Sequence, residues 1–164
     1  VTAGGLAGGP PPGWLDVRAS AGVAGRFLAL ELELHRRLGE LAGTEQEPAR
    51  RSFLAAASMG HAWRASLFEP LLPVSVGLPG REELVVLPPA ELQRLQAAGP
   101  EALLDEVYPQ LVREYEATAA LVPPASDGPL ALAAARAAAD LRRMLPEGTG
   151  QRTSDAANLL RGPI

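Results

Sequence analysis

A chain of 164 residues, 47% of them apolar, is long enough for one domain with a substantial core. With aromatics at only 4%, that core has to be built from Leu, Ala and Val, the residues of tightly packed helices. The absence of cysteine excludes disulfides, zinc-thiolate sites and thiol catalysis.

All 15 basic residues are arginine, and a net charge of -4 with interspersed signs leaves no footprint for a phosphate backbone. No apolar run reaches the roughly 18 residues needed to cross a bilayer, and no charged segment leads into an apolar one as in a secretory signal. The expectation is a cytoplasmic protein with neither nucleic acid nor membrane as partner.

Residues 1 to 15, rich in Gly and Pro, gain too little from burial to offset their ordering entropy and read as a flexible tail. A first helix is predicted from Asp16, a suitable N-cap, to about Ala42, with Gly43 as its stop. Val23, Phe27, Leu30, Leu34, Leu38 and Leu41 form its apolar stripe. At about 100° per residue, Glu31 falls inside that stripe and Glu33 outside it, facing water. Thr44 and Glu47 have the spacing of a capping box, and Pro48 suits the first turn of a second helix over about 47 to 69.

So short a link makes the two helices antiparallel neighbours. The second places Phe53, Ala57, Gly60, Arg64, Leu67 and Leu71 on one face, with Trp63 and Phe68 beside it as packing groups. Folding the hairpin near residue 45 brings Glu31 to within about a turn of His61 and Arg64. Residues 70 to 100 then contain no long helix, only short turns, and read as a crossover along the length of the molecule.

A third helix is predicted over about 101 to 122, with Leu104, Val107, Tyr108, Leu111, Tyr115, Ala119 and Val122 inward and Pro109 either kinking it or marking its true start. The hydroxyls of Tyr108 and Tyr115 are expected to meet polar neighbours. A fourth helix covers about 129 to 145, with Leu130, Ala134, Ala137, Leu141 and Met144 facing in, and residues 147 to 164 read as a polar tail. The domain expected is therefore residues 16 to 146. The signatures of a phosphate-binding loop, a dinucleotide fold and a serine-hydrolase elbow are all missing.

Two helical hairpins joined by one long crossover, an inward Glu31, the stretch MGHAWRASLFEPLLP at 59 to 73 and YPQLVREYEA on the third helix together resemble the ferritin-like superfamily, including its actinobacterial-type members of unassigned role. The resemblance implies an all-α, up-down four-helix bundle with a long crossover between helices 2 and 3. Di-iron members of that superfamily carry a Glu on each of two helices and a Glu-x-x-His on each of the other two, hard oxygen donors and imidazoles that leave positions open for dioxygen. Here Glu31 matches the first-helix Glu and His61 the second-helix His. Glu114 or Glu116 lies at the matching depth of the third helix, Ser58 stands where the Glu partner of His61 belongs, Ala137 occupies the ligand level of the fourth helix with Asp140 nearby, and Arg143 replaces the last His. The ligand set is incomplete.

Two readings follow. In the first, the bundle is a degenerate, metal-free structural or binding module, with Glu31, His61 and Arg64 forming a core polar cluster around a Glu31–Arg64 ion pair. A homodimer is left open, and no cofactor is expected. In the second, it is a metal-dependent oxidoreductase or hydroxylase with an atypical iron site built from Glu31, His35, His61 and Glu116. An isolated buried carboxylate costs several kcal/mol, roughly, so Glu31 requires a partner under either reading.

Overall fold

The computed structural model of the protein describes residues 15–75 and 77–145. The expected tails therefore fall mainly on 1–14 and 146–164, outside the described residues. Leu15, assigned to the N-terminal tail by composition, instead packs against the core. Among the described residues the chain is all-helical, with no strand.

Helix α1 spans Val17–Thr44, and its first turn is closed by the Asp16 carboxylate, which accepts from the Ala19 amide at 2.7 Å. Gly43 lies inside the helix rather than ending it; the turn-out comes at Glu45. Helix α2, Pro48–Phe68, is capped not by Thr44 but by Glu47, whose side chain accepts from the Ala49 and Arg50 amides. Thr44 instead donates back to α1 carbonyls.

The connection from Glu69 to Gly99 contains a 3₁₀ turn at Glu69–Leu71 and two short helices, α3 (Arg81–Leu84) and α4 (Pro89–Ala97). It lies along α1, and Gly25 permits the contact: a Cβ there would stand 2.4 Å from the Leu84 carbonyl oxygen. Arg26 reaches Glu91 at 2.8 Å, and Arg37 donates to the Ala98 carbonyl at 3.0 Å. Leu87, Leu95 and Ala98 are buried in the core. This cover corrects one sequence expectation, because Glu33 is not free in water; its side chain is 12% exposed and paired with Arg36.

The chain re-enters helix at α5 (Pro100–Ala102), passes through a wide π-helical turn at Leu103–Val107 and continues as α6 (Tyr108–Leu121). The wide turn is how the helix accommodates Pro109, which lacks an N-H and crowds the preceding turn. Pro109 thus stands in the first turn of α6, and in place of a kink the structure has a local change of winding just before it. Helix α7, Pro124–Arg142, is broken at Asp127, where φ is -151° and ψ 67°. Asp127 caps the main part of the helix by accepting from the Leu130 amide at 3.1 Å.

Contacts fix the directions of the helices. Arg50 pairs with Glu101, His61 with Tyr108, and Phe68 stacks on Tyr115. These partners rise together in both sequences, so α6 runs parallel to α2. By contrast Glu31 meets His61 and Phe27 meets Phe68, so α1 is antiparallel to α2. Phe27, Phe68 and Tyr115 form one aromatic cluster within a core that is mostly aliphatic.

The inward face of α2 is rotated from the one expected. Leu54, Ala57, Ser58, His61, Arg64, Ala65 and Phe68 are buried. Trp63, expected as an interior group, is 48% exposed. The reason is polar: turning His61 and Arg64 together toward Glu31 carries Trp63 to the opposite side.

Candidate functional site

Glu31, His61 and Arg64 meet in the core, each fully buried. The α1 stripe dictates the inward course of Glu31, and the i, i+3 spacing of His61 and Arg64 puts both on the α2 face opposite it. Arg64 Nε donates to Oε1 and Oε2 of Glu31, at 3.2 Å each. His61 Nδ1 stands 2.6 Å from Oε2, and the Tyr115 hydroxyl donates to Oε1. The carboxylate is thereby surrounded by three donors from two other helices.

The second layer of contacts extends the cluster in two directions. His61 Nε2 is 2.9 Å from the Tyr108 hydroxyl. Arg64 Nη1 donates to Asp140 on α7 at 2.6 Å, and Asp140 in turn accepts from Arg143. Asp140 is the link to the surface, with its side chain 22% exposed. Arg64 Nη2 is buried and makes no hydrogen bond to the described residues.

These partners define the protonation states. Burial works against the Glu31 carboxylate, but contact with His61, the Arg64 charge and the Tyr115 hydroxyl outweigh it and hold the group below the ordinary carboxylate range. Burial lowers the His61 pKa by more than the neighbouring Glu31 raises it, so the imidazole is neutral near pH 7. Its Nδ1-H donates to Glu31, and its Nε2 lone pair accepts from Tyr108. Burial raises both tyrosine hydroxyls above their ordinary value, so they stay protonated. Arg64 keeps its charge despite burial, supported by Glu31 and Asp140.

Two residues of the iron reading lie elsewhere. His35 is one turn further along α1, but its Nδ1 faces the carbonyl and hydroxyl oxygens of Ser58, at 3.0 and 2.8 Å. Glu116 is on the surface of α6 in an ion pair with Arg142. Glu114, its neighbour at the same depth, pairs with Arg26 at 2.7 Å. Periodicity anticipated polar partners for Tyr108 and Tyr115 without identifying them. Their seven-residue spacing on one face of α6, level with the His61 and Glu31 heights of α2 and α1, was the available signal. Asp140 stood out only as a residue near the ligand level of the fourth helix.

Iron is the metal that the ferritin-like resemblance implies, and the donor set here does not fit it. The charge beside Glu31 is the Arg64 guanidinium, both carboxylate oxygens are occupied by donors, and Ser58 and Ala137 supply no carboxylate. Among the described residues, no three His, Cys, Asp or Glu side chains converge as a metal site. Sizeable clefts lie away from the cluster. One of about 410 Å3 runs between α1 and the crossover, along Leu32, Val86 and Leu92, and one of about 300 Å3 lies near Leu15 and Pro129.

No family model, no curated protein and no solved structure matches the chain. No helix among the described residues is long and apolar enough to cross a membrane.

Proposed function

We propose that the protein is a ferritin-like four-helix bundle in which a fixed guanidinium has taken the place of a metal centre, and that it serves as a non-catalytic structural or binding module. The parallel course of α2 and α6 across a connection of some thirty residues supports the bundle topology, since two helices can run the same way only if the chain between them returns along their length. The observation that carries the functional reading is the pair of hydrogen bonds from Arg64 Nε to both oxygens of Glu31, inside a fully buried cluster.

Catalysis by general acid or base needs a group within hydrogen-bonding reach of a substrate. Here His61 spends both ring nitrogens, Glu31 both oxygens, and both tyrosine hydroxyls point inward to them. Such a closed network orders the four helices against one another.

Elemental mass spectrometry tests this reading on protein incubated with ferrous iron, manganese and zinc and then desalted. No metal is expected at stoichiometric level, while Glu31→Ala and His61→Ala each lower the melting temperature. Stoichiometric metal that disappears in both variants refutes the proposal and restores the oxidoreductase reading.

A further inference from the structure

The hydroxyl of Tyr108 is buried, lies 2.9 Å from His61 Nε2 and meets no other acceptor among the described residues. The opposite ring nitrogen is fixed, because Nδ1-H is taken by the Glu31 carboxylate at 2.6 Å. Tyr108 can therefore donate only while Nε2 carries a lone pair. A second proton on the ring makes Nε2 a donor too, and two donors then face each other across a buried contact. The phenol oxygen can still accept, but its own hydrogen must then turn into the core, where an unmet donor is costly.

The charges around the ring do not relieve this conflict. Burial opposes the imidazolium most; the Glu31 carboxylate on α1 favours it, and Arg64 on α2 and His35 on α1 oppose it. Glu31 is already matched by Arg64 and by Tyr115 on α6, and Asp140 on α7 faces the guanidinium. Proton uptake is thus tied to separation of Tyr108 from His61.

The segment that carries Tyr108 is the one able to move. Glu31 and His61 sit in the middle of long α-helices, whereas Tyr108 opens α6, directly after the π-wound turn Leu103–Val107 and directly before Pro109. A π turn is the less stable winding, and a proline adds no amide hydrogen bond.

We propose that the contact between Tyr108 and His61 is an acid-released latch: a second proton on His61 frees Tyr108, and the stretch from Pro100 to Tyr108 opens from α2 while the α1–α2 hairpin stays folded. Opening uncovers Leu103, Leu104 and Val107, all buried in the closed form. The module presents this apolar stretch increasingly as pH falls below 6.5, the ordinary imidazole value, and hides it above. The latch rests on the metal-free reading above, because His61 has to be free to take a proton.

Hydrogen–deuterium exchange of the full chain, read by mass spectrometry at about pH 7.5 and about pH 5 and corrected for intrinsic rates, tests it. The opening constant over residues 100 to 108 rises at least about tenfold in acid, while α1 and α2 keep their protection. His35 and His61 are the only histidines in the chain, so histidine NMR follows the cause directly: protonation of His61 and opening of the segment share one midpoint. His61→Gln keeps an acceptor for Tyr108 and takes up no proton, so exchange over the segment no longer depends on pH in this range. Protection lost equally in all helices overturns the latch, as does a segment that opens while His61 stays neutral, or acid opening that persists in His61→Gln. Metal analysis of the same sample separates the two proposals. Stoichiometric metal removes the metal-free reading and the latch with it, whereas metal-free protein with unchanged exchange removes the latch alone.

Discussion

Replacing Arg64 by leucine is the sharpest test of the core. Arg64 is fully buried and provides two of the four hydrogen bonds that reach Glu31, together with one to Asp140. Its loss leaves Asp140 with Arg143 and partial solvent access, so little of the cost arises there. It leaves Glu31 without a compensating charge in a site where burial opposes ionisation.

Removing one member of a buried ion pair costs about 3 to 5 kcal/mol. For a domain of this size that corresponds to a fall in melting temperature of about 10 to 20 °C. Circular dichroism melts at pH 7.5 measure it, with urea titrations to confirm that the slope is unchanged.

Two further measurements separate a stranded charge from simple loss of packing. Arg64→Leu should recover part of its deficit relative to the parent at about pH 5, where a carboxyl with a raised pKa becomes neutral. Adding Glu31→Gln should do the same at pH 7.5, with a coupling energy of about 1 to 3 kcal/mol, because the amide can still meet Tyr115 and His61 without carrying charge. Arg64 Nη2 is buried and makes no hydrogen bond to the described residues, so the double variant also removes a desolvated donor. A single variant melting within about 2 °C of the parent, or strict additivity of the two changes, would refute the assignment of Arg64 as the counter-ion of Glu31.

Gly25→Ala puts a methyl group against the Leu84 carbonyl, a backbone atom that cannot rotate away. The crossover must shift, at a cost of about 1 to 3 kcal/mol, and amide exchange should accelerate over residues 81 to 98; unchanged exchange there would contradict the close packing.

The buried groups also set the pH range of stability. His61 and Glu31 both have lowered values in the fold, so their contributions are complete above about pH 6.5 and are lost as pH falls, first through His61 and then through Glu31. Tyr108 and Tyr115 have raised values, so their contribution is lost as pH rises above about 10. Urea midpoints between pH 4 and 11 should therefore describe a plateau with two falling limbs. His61→Gln flattens the onset of the acid limb and Tyr108→Phe that of the alkaline one; limbs unaffected by either change would assign them to other groups.

The helices of the molecule were legible because their apolar residues recur at steps of three and four. Phe27, Leu30, Leu34 and Leu38 are buried as that spacing demands, and so are Leu104, Tyr108, Leu111 and Tyr115 beyond the crossover. Periodicity failed wherever a neighbour outside the helix decides exposure. Glu33 looked free because its own helix turns it outward, and only the crossover resting on Gly25 covers that side. The winding at Leu103–Val107 was readable as a consequence of Pro109 but not in its form, since a kink and a widened turn relieve the same clash.

Trp63 shows the deeper limit, and it ties the site to the surface. Apolar content alone sends a tryptophan inward, and the expected face of α2 ran through Phe53, Gly60 and Leu71 accordingly. The helix is instead oriented by its polar residues, because leaving His61 and Arg64 in an apolar wall would strand them while turning them to Glu31 and Tyr108 satisfies them. That rotation places Met59 and Trp63 outside. The two unusual properties of α2, charge within and none outside between Arg51 and Glu69, are therefore one property. A substitution that released Arg64 from Glu31 would disturb the orientation of Trp63 as well, and Trp63 fluorescence in Glu31→Gln/Arg64→Leu should report the coupling between core and outer face.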